Sequence, residues 1–199
     1  LSVIARSGQS DDIYTEAGGT ALSAISCAES RVITTLNTHT MVEIEKEAEL
    51  LNYFGDILIQ SIGGADHVES YSNLTAGGLS GNTTSNTEVN VNSSSNSVGS
   101  KVLIGKSGSG SGKAKILGRN VTINSGYKNV SIECNAYSKS AGAHASAKSV
   151  ATINYYLDAL LDVDYASISA YDDLTITSSA TPAESGNVSD SYAYARVTA

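Results

Sequence analysis

The chain has no tryptophan, one proline, one phenylalanine, one methionine and two cysteines in 199 residues. A single proline leaves little to interrupt backbone pairing, so long strands are open to this sequence. Two cysteines, Cys27 and Cys134, cannot make a disulfide framework of the kind that staples small secreted domains. Charged residues are only 16% of the chain, against about 25% in an average domain, so the surface is built from Ser, Thr, Asn and Gly rather than from ion pairs. No stretch approaches the roughly 18 consecutive apolar residues of a spanning helix, and membrane insertion is not expected. Leu1 is not followed by a charged start and an apolar signal region, so any targeting segment has been removed or lies outside this piece.

The charge that is present is mostly acidic, with a formal net charge of -8 and a pI of about 4.7. The 12 Lys and Arg are scattered except around Lys101 to Arg119. A nucleic-acid surface needs a basic stripe that neutralises phosphates, so nucleic acid is excluded as a partner.

What the chain does have is repetition. Asp56-Ile57-Leu58-Ile59-Gln60-Ser61 recurs as Asn120-Val121-Thr122-Ile123-Asn124-Ser125 and as Asp173-Leu174-Thr175-Ile176-Thr177-Ser178. Each copy reads as a short strand opening on Asp or Asn, and such a strand buries its apolar side only by stacking on others. Aligning Asp12 with Asn129 gives an offset of 117 residues (129 − 12), and Leu51 then meets Ile168, Phe54 meets Tyr171, Asp56 meets Asp173 and Ile59 meets Ile176. Ser2 to Ser7 resembles Asp56 to Ser61, which suggests a nested half-repeat of about 54 residues (61 − 7). Residues 1–117 then form one repeat and 118–199 part of a second, in a single elongated segment.

Local patterning favours strands. Val89/Val91, Val102/Ile104, Val121/Ile123, Val130/Ile132/Cys134 and Leu174/Ile176 alternate with polar neighbours at period two, one face inward and one to water. Met41 to Phe54 has a helical spacing of Ile44, Ala48 and Leu51, whereas its repeat partner alternates like a strand. Homologous positions fold alike, so strand and turn is the reading here and a short helix the alternative. Residues 75–113 are rich in Gly, Ser and Asn with strand-like islands at Thr87 to Asn92 and Lys101 to Ile104, a loop-bearing section rather than a linker.

The run Ser138 to Ala147, then Val150 to Asn154, Ala166 to Ala170 and Asp173 to Ser178, resembles the repeats of giant secreted bacterial surface proteins, the filamentous-haemagglutinin-like adhesins. The resemblance covers nearly the whole chain and rests on a pattern of small and β-branched residues. It implies a parallel β-helix, an extracellular or cell-surface location and a stalk or adhesive role, and it carries no catalytic residues.

Several candidate sites weigh against bland readings. Asp162, Asp164, Asp172 and Asp173 could collect calcium, a hard cation that wants several oxygens, but no EF-hand or nonapeptide loop surrounds them and turn-capping carboxylates are the default. Tyr155, Tyr156, Tyr165 and Tyr171, with Tyr192 and Tyr194, could form an aromatic strip that stacks on glycans. Lys101 to Lys113 mimics a strand leading into a phosphate loop, but Ser107 and Ala114 stand where Gly and Ser/Thr are required. His39, His67 and His144 do not recur in the repeat, and no spacing joins them to a nucleophile.

The expected fold is all-β, a right-handed parallel β-helix of about eight to ten coils, roughly 40 to 50 Å long, with coils of roughly 20 to 25 residues and a strand spacing of about 4.8 Å. Those coils would hold Cys27 and Cys134 about 20 Å apart, unpaired and mostly buried. The expected function is a non-catalytic stalk or fibre, without cofactors, that associates end to end with itself or with neighbouring segments and has cell-surface glycans as a further partner. The alternative is a carbohydrate-active β-helix, either a polysaccharide lyase or hydrolase or a glycan-binding module.

Overall fold

The computed structural model describes residues 1–6, 12–92, 99–182 and 190–198, with the backbone alone at 12, 65, 66, 128–130, 155, 180–182 and 190–198. The described residues contain strands and no helix. In chain order the strands are β1 (Ser2–Arg6), β2 (Asp12–Leu22), β3 (Ile25–Leu36), β4 (Thr40–Ile44), β5 (Glu49–Asn52), β6 (Ile57–Gly77), β7 (Ser80–Val91), β8 (Ser100–Ile104), β9 (Ala114–Gly118), β10 (Val121–Ala141), β11 (His144–Tyr155), β12 (Ala159–Val163), β13 (Ala166–Ala170), β14 (Leu174–Pro182) and β15 (Asp190–Thr198). The segment 41–54 is therefore strand, turn and strand, which rules out the helical alternative.

Every pairing between these strands is parallel, and they form four sheets. Sheet A has the order β1-β6-β10-β14, with β2 beside β6 and β15 beside β10. Sheets B, C and D have the orders β3-β7-β11, β4-β8-β12 and β5-β9-β13. The chain visits A, B, C and D in that order three times and then returns to A. The long strands β6 and β10 each span the ground that β1 and β2 cover separately in the first pass.

Pass length differs from expectation. Ile57 lies beside Val121 and Val121 beside Leu174, so one pass takes 64 residues (121 − 57) and the next 53 (174 − 121). The longer pass carries its extra residues in the connections 92–99 and 105–113, inside the loop-bearing section, while β7 and β8 occupy much of the rest of it. There are three complete passes rather than eight to ten coils. The Gly/Ser/Asn clusters separate the strands of one pass, not successive passes. Four layers in sheet A stack over about 14 Å, while a 21-residue strand such as β6 has a contour of about 70 Å.

The 117-residue offset is two passes long. It holds between Ile57 and Leu174 but becomes 118 between Leu50 and Ile168, and 119 between Ile25 and His144. A two-residue difference keeps every side chain on its face, and a one-residue difference reverses them. Thus Leu50, not Leu51, stacks with Ile116 and Ile168, and Leu51 faces outward at 40% exposure.

Alternation along the strands fills two interior regions. Val42, Ile44, Ile57, Ile59, Val102, Ile104, Ile116, Val121 and Ile123 form an apolar cluster where sheets C and D meet the first half of sheet A. Val68, Val89, Val91, Tyr127, Ile132 and Cys134 form a second cluster between sheets A and B. Beyond it the interior is lined with hydroxyls. Thr34 Oγ1 lies 2.6 Å from Ser70 Oγ, Ser72 Oγ donates to Ser30 Oγ at 3.0 Å, and Ser100 Oγ lies 3.1 Å from Ser125 Oγ. These groups satisfy one another inside the protein, which removes the cost of burying them. The turns from sheet A to sheet B use Gly78 (φ 156°) and Gly142 (φ 154°), where a Cβ on Gly78 would strike the Ser23 carbonyl of the preceding layer.

Candidate functional site

The recurrent Asx residues stand at one corner of the fold, each just before a strand of sheet A. Asn120 Nδ2 donates to Asp56 Oδ1 at 2.7 Å, and the Asp173 amide donates to Asn120 Oδ1 at 3.2 Å. Backbone bonds accompany them: Ile57 N to Asn120 O at 2.8 Å and Val121 N to Asp173 O at 2.9 Å. Asp173 is thereby part of a ladder that joins layers, and the turn-forming role suffices for it.

The other acidic candidates also pair between layers. Asp162 accepts from Lys106 at 2.8 Å, Asp172 accepts from Arg119 at 2.7 Å, and in the same manner Glu49 accepts from Lys115 at 2.6 Å. Each cation is held above its ordinary pKa first by the hydrogen bond to its carboxylate and then by the charge itself. The basic cluster from Lys101 to Arg119 thus belongs to the second pass and is tied to acids of the first and third. Among the described residues no three His, Cys, Asp or Glu side chains come together as a metal site would require, so Asp162, Asp164, Asp172 and Asp173 are not gathered.

The expected tyrosine strip is not one surface. Tyr156 follows β11, Tyr165 lies between β12 and β13, and Tyr171 lies between β13 and β14, so they occupy successive corners with exposures of 51%, 42% and 62%. Lys113 Nζ sits 5.6 Å from the centre of the Tyr165 ring. The side chain of Tyr155 lies outside the described residues.

The loop that imitates a phosphate loop already embraces an anion of its own chain. The Gly112 amide donates to Glu47 Oε1 at 3.0 Å, and a Cβ at Gly110 would collide with the same carboxylate. Glu47 itself has a left-handed backbone, φ 66°.

Both cysteines are free, but only Cys134 is buried, and Cys27 on the outward side of β3 is exposed. The expectation that both were mostly buried fails for Cys27 because its alternation places it toward solvent. Cys134 Sγ donates to the carbonyls of Thr87 and Thr152, both at 3.4 Å, and burial pushes its thiol up. The three histidines lie apart, on the 36–40 corner, on β6 and on β11.

A different constellation lies on the outer face of sheet A. Register places Tyr14 beside Glu69 and Glu69 beside Glu133, while in the adjacent column Glu16 is beside Tyr71 and Tyr71 beside Asn135. Tyr14 Oη donates to Glu16 Oε2 at 2.9 Å, and His67 Nε2 lies 3.9 Å from Glu69 Oε2. Tyr71 and Tyr137 meet at 5.2 Å between ring centres, tilted by 46°. The hydrogen bond to Glu16 holds the Tyr14 phenol above its usual range, and burial does so for Tyr71, with Tyr137 and Glu16 adding to it. These residues are invisible as a group until the layers are paired, because they are spread over more than 120 positions (137 − 14).

A groove of about 540 Å³ opens between β2 and β3, lined by Gly18, Gly19, Cys27, Glu29, Arg31 and Leu74 among others. Glu29 is its only lining carboxylate. Two carboxylates flanking one bond, the requirement of glycoside hydrolysis, are not both supplied by this lining. No family model, curated protein or solved structure matches the chain.

Proposed function

We propose that the chain is a non-catalytic structural or adhesive segment of an extracellular surface protein, folded as a right-handed parallel β-solenoid. The observation that carries this reading is the in-register column, in which Ile59, Ile123 and Ile176 stand one above another across three layers. Columns of like residues let each layer template the next, the physical basis of repeat architectures. Parallel sheets with paired polar outer faces suit a mechanical body, and the carboxylates that stand out in the sequence serve as links between its layers.

The proportions favour surface over reach. Each pass raises the stack by only about 4.8 Å for 53 to 64 residues, so this segment gains little length and much lateral face. A role in adhesion or packing along those faces fits better than that of a thin spacer.

End-to-end association follows from the same columns. Ile59 and Ile123 are 0% exposed, whereas Ile176 in the same column is 44% exposed and Leu174 is 47% exposed. Strands β3 to β5 and β11 to β13 are each paired on one side only. Such edges accept further strands from a neighbouring segment or a second copy. Sedimentation velocity over a concentration series tests this. Linear oligomers that Ile176→Lys abolishes are expected; a monomer at every concentration would count against end-to-end growth. Turnover of acidic polysaccharides would instead favour the enzyme alternative.

A further inference from the structure

We propose that the outward face of sheet A formed by Tyr14, Glu16, Glu69, Tyr71, Glu133 and Tyr137 docks an extended peptide segment with Lys or Arg at alternate positions. The inference needs the parallel register of β2, β6 and β10 and does not depend on the structural role above. Tyr and Glu alternate there in both directions: along β2 as Tyr14 and Glu16, along β6 as Glu69 and Tyr71, and across the strands as Tyr14 beside Glu69 and Glu16 beside Tyr71. Residues two apart on one strand are about 6.8 Å apart. A second extended chain has the same repeat, so its alternate side chains match this lattice residue for residue.

The chemistry selects a cation. Glu69 and Glu133 stand directly opposite each other on neighbouring strands, and like charges so placed are unfavourable. A guanidinium or ammonium between them would reverse that sign, and the flanking tyrosine rings would add their cation–π attraction. The other charged groups on this face are His67, 3.9 Å from Glu69, and Lys139 farther along β10; by backbone register Arg196 of β15 lies beside Tyr137. A neutral sugar would leave the two carboxylates opposed, and the 46° tilt between Tyr71 and Tyr137 does not make a flat platform for a sugar ring. The backbone register carries the two columns on to Tyr192 and Tyr194 of β15, which extends the face by one layer.

The test is fluorescence anisotropy with a labelled peptide of alternating Arg and Ser, a block peptide of the same composition, and a panel of neutral oligosaccharides. The alternating peptide should bind more tightly than the block peptide, and its affinity should fall as salt rises above about 0.1 M. Glu69→Gln with Glu133→Gln should weaken it by about tenfold or more, and Tyr71→Ala should weaken it as well. Glu29→Gln and Glu43→Gln, on the outer faces of sheets B and C, should leave it unchanged. The double Gln variant should melt no lower than the parent, since it removes repulsion, so lost binding would not reflect lost folding. Equal binding by the parent and the double Gln variant, no binding of the alternating peptide at about 1 mM, or oligosaccharide binding lost in Tyr71→Ala alone would each overturn the proposal.

Discussion

Asn120 Nδ2 lies 2.7 Å from Asp56 Oδ1, so the residue that opens β10 is bonded to the residue that opens β6. Asp173 sits on the other side of Asn120 and donates its amide to Asn120 Oδ1 at 3.2 Å. The amide side chain supplies both a donor and an acceptor between two acids, a role no carboxylate can fill.

Asn120→Asp would place three carboxylates in a row and remove the donor. A loss of about 1 kcal/mol at neutral pH and low salt is expected, and salt should recover part of it. Urea melts of the parent and the variant in low and high salt measure both effects.

Tyr127 crosses the interior of the third pass and is 0% exposed. Its hydroxyl donates to Asp158 O at 3.0 Å and accepts from the Asp158 amide at 3.1 Å. Gly63 and Gly99 face it, and a Cβ on Gly63 would stand 2.8 Å from the ring. Tyr127→Phe should cost about 1 to 3 kcal/mol through two orphaned backbone groups. Gly99→Ala meets the hydroxyl directly, so combining it with Tyr127→Phe should cost less than the two single changes added. A double-mutant cycle from denaturant melts reads that coupling.

Position in the stack should set the cost of truncation. Ile123 and Ile176 share one column but differ in exposure, 0% against 44%. Ile123→Ala should cost about 2 to 5 kcal/mol, and Ile176→Ala distinctly less. Equal costs in thermal or denaturant melts would mean that Ile176 is covered.

Alkaline pH should weaken the fold before moderate acid does. Burial holds Tyr127 and Cys134 above their usual pKa values, and hydrogen bonds to Asp162 and Glu49 do the same for Lys106 and Lys115. All four keep their protons to higher pH in the folded chain than in the unfolded one. Their contribution is complete below the unfolded values and is lost as pH rises through the folded ones. Stability should be flat from about pH 7 to 8 and should fall above about pH 9. Tyr127→Phe should make that fall shallower.

Much of the strand content was legible because Val, Ile and Leu alternate with small polar residues, and because Asp56, Asn120 and Asp173 mark strand starts. The pass length was not legible. The strongest self-similarity spans two layers, and the intermediate copy hides because residues 105–113 insert into the second pass. Leu50 and Leu51 show the limit at residue scale: both are leucine, so nothing local says which one faces the core, and the repeat alignment selects the wrong one. The tyrosines failed for a different reason. Tyr156, Tyr165 and Tyr171 are close in sequence but turn with the chain around three corners, whereas Tyr14, Tyr71 and Tyr137 are far apart in sequence and share one face.

The register of the layers is tested most directly by paired cysteines on the outer face of sheet B, in a chain with Cys27→Ser. Thr84 lies directly opposite Lys148 on the neighbouring strand, a separation of about 4.8 Å, within the reach of a disulfide. Parallel in-register stacking predicts rapid cross-linking of Thr84→Cys with Lys148→Cys under mild oxidation, and little with Thr84→Cys and Ser149→Cys. Cross-linking of the second pair in preference to the first, or of neither, would contradict it.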